Sequence, residues 1–424
     1  MKQPIILSLG SNYPFEFVLL AVRQLLRPDA QSLSSAGREI EKHLGGKPVF
    51  YYKGRDAIEQ ALVAIQRKHT QPLTVFTQAV SCYALEEAIV RAGARPVYVD
   101  VGILRLNMTV ATLDAAFAAA GKPRHAVVIV QHLLGFPAAV EKIYAWCQEH
   151  SVVLIEDVAQ SFGALTRSNT LVGTQGDVVV SSMGRDKVLD CVSGGFALVR
   201  TSACAPEPKQ LQVAVPMGQL LKDLLYPVAT WKIRTFHSIG LGKVLFWVSK
   251  KMGLLSSPIP SPLPMSSGLP AEFGQLLRWQ LRNLDRQLEH RRRIAQMYFS
   301  QLHPWLVALH ITEQDLTRAA CLRVPFLVPD VQDCIAHFKK QSVYLSDRWY
   351  RSPVDMGNFD FPTVYTDGQS PNAEFLTKHL CNLPTHQAIS VVQAEELARE
   401  LRAYLSQPAV LAWYKKTLGM DVVL

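Results

Sequence analysis

Residues 176–195 read GDVVVSSMGRDKVLDCVSGG, and this stretch decides how the rest of the sequence is interpreted. The valines at 178–180 predict a buried strand, which two serines, a methionine, a glycine and then the lysine at position 187 follow. Lys187 is therefore predicted in a loop just beyond the carboxyl end of a core strand, where open α/β sheets gather ligands and catalytic groups. A lysine there is a covalent nucleophile, a phosphate ligand or simply a solvated side chain.

The composition is that of a globular protein with a basic balance. The 424 residues are 49% hydrophobic and 19% charged, which is enough for two or three domains with a full core. The formal net charge of +9 suits an anionic partner such as a nucleotide, a phosphorylated substrate or an anionic membrane surface. No nucleic-acid-binding signature accompanies this charge, so nucleic acid is not expected as a partner.

The seven cysteines are scattered along the chain and form no CxxC pair. This arrangement argues against a disulfide framework and against a zinc site, and it favours a reducing compartment. The N-terminus lacks a signal-peptide pattern, and no run of about twenty apolar residues predicts a spanning helix. A cytoplasmic protein without a metal site is therefore expected.

Strand-like and helix-like segments alternate between residues 46 and 205. The strands are continuous runs of Val, Ile and Leu, as in HAVVIVQH at 125–132, and amphipathic helical patterns separate them. This alternation predicts a large α/β domain with a mostly parallel sheet sandwiched by helices. Residues 1–45 are predicted to form an N-terminal helical segment ahead of it.

Residues 206–265 interrupt the alternation. They are apolar, aromatic and basic, with helical spacing, and they end in a linker rich in serine and proline. Such a composition is typical of a helix pair in a membrane interface, which predicts a peripheral membrane contact through 215–255. The preferred alternative is an insertion packed on its own domain or across a dimer. Residues 266–407 then predict a long helix and a smaller C-terminal α/β domain, and 408–424 an amphipathic tail.

Three polar groups join Lys187 at the predicted edge of the sheet. Asp157 ends the strand VVLIEDVA, Gln160 follows one turn later, and Ser182 precedes Lys187 by five residues. A strand-end carboxylate facing a lysine suits pyridoxal phosphate, because the carboxylate keeps the pyridine nitrogen protonated while the lysine bonds to the aldehyde. Taken alone, however, Asp157 is more commonly explained as a helix N-cap, and Ser182 as an ordinary loop residue.

A predicted helix start supplies a second part of such a site. The segment GRDAIEQALVAIQ has helical spacing, which places the amides of Gly54 and Arg55 at the N-terminus of a helix. Free amides and the helix dipole make the N-terminus of this helix a candidate phosphate-binding site, although most helix N-termini bind only water.

Several segments, in their order and spacing, resemble the DegT–StrS family of sugar aminotransferases. They are GRDAI at 54–58, AGARPVYVD at 92–100, QHLLGFPA at 131–138, LIEDVAQSFGA at 154–164, the lysine segment at 176–195 and LPTH at 383–386. Each segment alone is a weak signal, but the ordered set is specific. The resemblance implies the fold-type I pyridoxal-phosphate architecture, a homodimer, and transfer of an amino group from glutamate to a nucleotide-linked keto-sugar.

The resemblance also implies a role for each candidate residue. It makes Lys187 the lysine that binds the cofactor and shuttles the proton, and Asp157 the partner of the pyridine nitrogen. Gln160 would contact the hydroxyl side of the ring. The phosphate would be held by the Ser182 hydroxyl and by the amides of Gly54 and Arg55.

Three positions depart from the family pattern. Cys82 replaces the aromatic residue that usually covers the ring, with Tyr83 adjacent as a substitute. Arg55 stands where the family has a hydroxyl residue, and Ser193 where it has glutamate. The leading hypothesis is an aminotransferase of polysaccharide, glycolipid or secondary-metabolite synthesis. Two alternatives remain open. One is a related pyridoxal-phosphate reaction on another ketone or amino acid, and the other is a chain that has lost catalysis and is a membrane-associated binding or assembly subunit.

Overall fold

The computed structural model describes residues 4–200, 214–255, 267–346, 349–359 and 361–422. The domain boundaries predicted at 205–206 and 265–266 lie outside these residues. The strands are β1 (Ile5–Ile6), β2 (Pro48–Tyr51), β3 (Thr74–Gln78), β4 (Arg95–Val99), β5 (Ala126–Gln131), β6 (Val153–Asp157), β7 (Val178–Ser182), β8 (Gly195–Val199), β9 (Arg323–Leu327), β10 (Val343–Tyr344) and β11 (Leu380–Pro384).

The α-helices follow the predicted alternation. They are α1 (Phe15–Leu26), α2 (Ser32–Leu44), α3 (Gly54–Gln66), α4 (Tyr83–Arg91), α5 (Val110–Ala119), α6 (Val140–Glu149), α7 (Met217–Thr235), α8 (Leu241–Lys251), α9 (Gly274–Arg282), α10 (Leu284–Leu306), α11 (Glu313–Arg318), α12 (Val331–Lys340), α13 (Pro371–His379), α14 (Val391–Leu405) and α15 (Pro408–Leu418).

A seven-stranded sheet forms the centre of the large domain. Its strand order is β2-β8-β7-β6-β5-β3-β4, and the strands from β7 to β4 run parallel to one another. Strand β8 is antiparallel to both β7 and β2, so the chain reverses direction directly after the loop that carries Lys187. The predicted α/β class with a mostly parallel sheet is confirmed.

Helices cover both faces of this sheet. Along β5, Val127 and Ile129 pack into an apolar cluster with α3 and α4, whereas Val128 and Val130 pack with α5 and α6. Alternate residues of one strand therefore meet opposite helical layers, because strand side chains alternate between the two faces. This double burial explains why the strands read as continuous apolar runs.

A smaller C-terminal unit contains β9, β11 and the helices around them. Strands β9 and β11 pair antiparallel, and β9 packs on the long helix α10. The N-terminal strand β1 pairs with β10 of this unit, so the first described residues are extended and not helical. The predicted long helix is divided at Asn283 into α9 and α10. The Trp279 carbonyl accepts from the Asn283 side-chain amide at 2.8 Å and from its backbone amide at 3.2 Å.

The two helices of the insertion differ in their burial. Helix α7 packs on its own domain against α1 and buries Leu220, Leu224 and Ile233. Helix α8 buries only Gly242 and Ser249. No helix within the described ranges is both long enough and apolar enough to cross a bilayer.

Candidate active site

The loop between β7 and β8, residues 183–194, is called the lysine loop below. It places Lys187 over the face of Trp349, with 4.4 Å between the lysine Nζ and the centre of the ring. Arg323, the first residue of β9, lies over the same indole, with its Cζ 5.0 Å from the centre. The C-terminal unit therefore contributes to the surroundings of a lysine that belongs to the large domain.

Burial lowers the pKa of Lys187, because the ammonium group loses its hydration. The negative charges of Cys82, Asp157 and Asp186 oppose this shift when these groups are ionised. A lysine with a lowered pKa more readily presents the neutral amine that attacks a carbonyl carbon. The predicted lysine, the predicted carboxylate and Cys82 thus lie within electrostatic range of one another.

Asp157 ends β6 and is held at both carboxylate oxygens. The Ala159 amide donates to its Oδ1 at 3.0 Å, and Gln131 Nε2 donates to its Oδ2 at 3.3 Å. Burial raises the pKa of Asp157, whereas the hydrogen bond from the Ala159 amide and the positive charge of Lys187 partly oppose this shift. A turn follows Asp157 and no helix begins there, so its side chain is not the helix N-cap that the sequence alone made the common explanation.

Both ends of the Gln160 side-chain amide are engaged within the protein. Its Nε2 donates to the Tyr350 hydroxyl at 2.5 Å, and its Oε1 accepts from the Leu134 amide at 2.7 Å. Tyr350 directly follows Trp349. Gln160 therefore connects the large domain to the loop that covers Lys187, a contact that the sequence did not predict.

The start of α3 lies against the end of β7. A Cβ on Gly54 would lie 2.5 Å from the Ser182 Cβ and 2.9 Å from its Oγ, so only glycine fits there. The Ser182 Oγ accepts a hydrogen bond from the Gly184 amide at 3.3 Å. The amides of Gly54 and Arg55 belong to the first helical turn, which has no intrahelical acceptors. We call this group, formed by Gly54, Arg55 and Ser182, the cradle.

The side chain of Arg55 is directed towards a neighbouring helix. Its Nη1 forms an ion pair with Glu87 on α4, and Glu87 also pairs with Arg91 at 3.1 Å. The guanidinium is therefore neutralised by a carboxylate. The backbone amide is the part of Arg55 that lies at the start of α3.

Cys82 and Tyr83 contact the segment that follows Trp349. The Tyr83 amide donates to the Asp355 carbonyl at 3.0 Å, and its ring stacks on Phe361 with the centres 4.9 Å apart. Burial raises the pKa of the Cys82 thiol. The aromatic ring in contact with Lys187 is thus that of Trp349, whereas Tyr83 contacts the segment that follows Trp349.

Helix α7 brings a buried carboxylate to the flank of this site. Asp223 accepts hydrogen bonds from the Tyr52 hydroxyl at 2.6 Å and from Arg185 Nη2 at 3.2 Å, and it lies 3.4 Å from Lys53 Nζ. Burial raises the pKa of Asp223, but the two cations outweigh it and the net shift is downward. Lys53 directly precedes the cradle, and Arg185 belongs to the lysine loop. Asp223 of the insertion therefore contacts a residue next to the cradle and a residue of the lysine loop.

The N-terminal segment holds the lysine loop from another direction. The Ser8 hydroxyl donates to Asp186 at 2.7 Å, and Asn12 Nδ2 donates to Asp190 at 3.0 Å. Burial raises the pKa of Asp190 to about 6, and the hydrogen bonds from Tyr13 and Asn12 oppose the shift. The lysine loop is therefore fixed by side chains from three separate parts of the chain.

The sequence profile of the DegT/DnrJ/EryC1/StrS aminotransferase family matches residues 40–215 and 264–402. The chain belongs to this family. The family predicted from the ordered segments is thereby confirmed, and with it the enzyme class of an aminotransferase. Aminotransferases of this family use pyridoxal phosphate.

Individual relatives agree with this family assignment. The chain is 31% identical over 191 residues to the UDP-N-acetyl-3-dehydro-alpha-D-glucosamine 3-aminotransferase of Acidithiobacillus ferrooxidans, a match to 44% of this chain and 50% of that protein. The match therefore spans half the length of this relative.

Solved structures of the family share the fold over nearly the whole chain. An aminotransferase of the family from Brucella abortus has a TM-score of 0.68 at 21% identity, covering 92% of this chain and 96% of its own. Spr1654 from Streptococcus pneumoniae, described as a sugar aminotransferase, has a TM-score of 0.66 at 17% identity, covering 94% of this chain and 98% of its own, in its PLP form.

Proposed function

We propose that this protein is a pyridoxal-phosphate-dependent aminotransferase that moves the amino group of glutamate to a nucleotide-linked keto-sugar. The observation that carries the proposal is one loop that holds Lys187, within electrostatic range of Asp157, at the edge of the sheet where the cradle lies. Family membership supports the reaction class, and the name of the Acidithiobacillus relative, a UDP-sugar aminotransferase, supports the substrate class.

The chain's own residues fit pyridoxal phosphate. The cradle offers a hydroxyl and helix-start amides to a phosphate, and Gly54 lets the start of α3 lie against Ser182. Asp157 offers a carboxylate to a protonated ring nitrogen. Beside it, Gln131 Oε1 is a buried acceptor with no hydrogen-bond partner among the described residues. When bound, the cofactor supplies the electron sink for the carbon that carries the amino group.

The roles of the protein groups follow from their positions. In the donor half of the reaction, Lys187 Nζ, with its lowered pKa, removes the proton from the α-carbon of the amino donor. In the acceptor half, it delivers a proton to the sugar carbon that receives the amino group. Asp157 keeps a fixed negative charge at the strand end. Trp349 shields Lys187 Nζ from water on one side, and Gln160 holds the Trp349–Tyr350 segment in place through Tyr350.

The alternative of a chain that has lost catalysis is the weaker hypothesis. None of the three departures from the family pattern removes the lysine, the strand-end carboxylate or the glycine of the cradle. Trp349 meets Lys187 even though Cys82 occupies the usual aromatic position. A homodimer and a cytoplasmic location complete the proposal, and the family resemblance is what supports the homodimer.

The absorption spectrum of the purified protein tests the proposed reaction. We expect a protein loaded with pyridoxal phosphate to be yellow, its visible band to shift when glutamate is added, and a keto-sugar nucleotide to restore the band. Lys187→Ala should abolish the shift, whereas Lys222→Ala, at an exposed position of α7, should keep it. A protein that cannot be loaded with the cofactor would overturn the proposal.

A further inference from the structure

Helix α8 turns its apolar side chains outward. Of its 11 residues only Gly242 and Ser249 are buried. Trp247 is 62% exposed and Val244 is 56% exposed. The full set of exposed apolar side chains, called the α8 surface, is Leu241, Val244, Phe246, Trp247 and Val248, with Met252 directly after the helix. A helix of a globular protein normally packs its apolar stripe on the core, and α8 does the reverse.

The outward side chains combine apolar and cationic groups on one stripe. Val244, Trp247 and Lys251 are spaced three and four residues apart, so they share the side of the helix opposite Gly242 and Ser249. Lys251 Nζ lies 5.1 Å from the centre of the Trp247 ring. Tryptophan and lysine are amphipathic side chains that favour the boundary between lipid headgroups and hydrocarbon.

The chain segment that contains α8 carries charge of one sign. The sequence contains no Asp or Glu between Asp223 and Glu272, while basic residues occupy 232, 234, 243, 250 and 251. All three lysines of α8 are exposed. A two-fold contact with a second copy of this chain would set the same lysines against each other without a carboxylate. The charge therefore complements an anionic surface and disfavours self-association through α8.

We propose that α8 binds the surface of an anionic phospholipid bilayer. The helix lies in the plane of the interface, with Trp247 and Val244 at the acyl boundary and the lysines at the lipid phosphates. Helix α7 is fixed to the large domain through Asp223, and α8 packs on α7, so the contact would hold the enzyme at the membrane. The proposal concerns location and is independent of the proposed reaction.

Co-sedimentation of the full-length protein with vesicles tests this proposal. We expect binding to vesicles of equimolar phosphatidylcholine and phosphatidylglycerol, weakening as salt is added, and no binding to phosphatidylcholine alone. The double variant Lys250→Glu/Lys251→Glu should lower vesicle binding on the order of tenfold or more. Trp247→Glu should lower it as well, because a carboxylate would enter the acyl boundary.

A matched charge change elsewhere serves as the control. Lys339→Glu/Lys340→Glu alters two exposed lysines at the end of α12 and should leave vesicle binding unchanged. Equal losses in the two double variants would show a response to net charge alone and overturn the proposal. So would wild-type protein that fails to bind the anionic vesicles. Trp247→Glu that converts a dimer to a monomer in sedimentation, with vesicle binding intact, would identify a subunit contact instead.

Discussion

Gly54 has no room for a side chain. A Cβ there would lie 2.8 Å from the Ser182 Cα, which is backbone and cannot rotate away. We expect Gly54→Ala to cost about 1–3 kcal/mol of unfolding free energy, as overpacking does, and to weaken retention of pyridoxal phosphate. Denaturant unfolding and titration of the visible band measure the two effects.

The control for this change is a glycine with space around it. Gly218, in the first turn of α7, has no atom within 4 Å of an added Cβ apart from its chain neighbours and its own helix backbone, so Gly218→Ala should leave cofactor binding unchanged. Unaltered cofactor affinity in Gly54→Ala would show that the phosphate lies elsewhere.

Asp157 is proposed to hold a fixed charge opposite the pyridine nitrogen. Asp157→Asn keeps the size of the side chain and removes the charge. We expect it to slow the shift of the visible band with glutamate by roughly a hundredfold to a thousandfold. Asp114→Asn is the matched control, since Asp114 accepts a hydrogen bond from Trp146 at 3.1 Å on the α5–α6 side. Equal rates in both variants would remove Asp157 from the mechanism.

Residues in regular segments were predictable, and residues in tertiary loops were not. The strand-end positions of Lys187 and Asp157 follow from apolar runs and turn residues in the sequence. Trp349 lies far along the chain in a loop without periodicity, where contacts such as the hydrogen bond from its amide to Asn382 at 3.2 Å fix its place. The one signal for Trp349 in the sequence is its position between two arginines, in RWYRSP at 348–353.

Helix α7 is joined to the large domain by a charged contact at its buried face. Asp223→Asn would leave the half-buried cations of Lys53 and Arg185 without their shared buried anion. We expect the free energy of unfolding to fall by about 3–5 kcal/mol, the usual cost of breaking a buried pair. Urea unfolding measures it, with Lys222→Gln at the adjacent exposed position as control. Equal midpoints for the two variants would show that the ion pairs do not hold α7.

The two helices of the insertion have similar compositions and different environments. Their helical spacing and basic character were predictable from the sequence. The sequence does not show that Asp223 of α7 pairs with two cations, because Lys53 and Arg185 lie 170 and 38 residues away. The sequence does not predict the division between α9 and α10, because the helical spacing continues through Asn283.

Contacts between the N-terminal segment and the C-terminal unit connect distant parts of the chain. His386 Nε2 donates to the Ile6 carbonyl at 2.7 Å, and burial lowers the pKa of His386 to about 3. The unfolded histidine, with its pKa near 6.5, takes up a proton first as the pH falls. The native state therefore loses stability between about pH 6.5 and pH 3, by roughly 3–5 kcal/mol in total.

Comparison of wild type with His386→Gln isolates this effect. Unfolding measured at neutral pH and near pH 4 should show a smaller loss on acidification in the variant, whatever its stability at neutral pH. An identical pH dependence in both proteins would mean that His386 is not the group responsible.

In the proposed function, the whole fold presents one lysine, Lys187, to pyridoxal phosphate. Borohydride makes the bond between the cofactor and its lysine permanent, and peptide mass spectrometry then locates the label. We predict the pyridoxyl mass on the peptide that contains Lys187 and its absence in Lys187→Ala. Labelling of Lys53, the other lysine beside the cradle, or of no lysine at all would contradict the account.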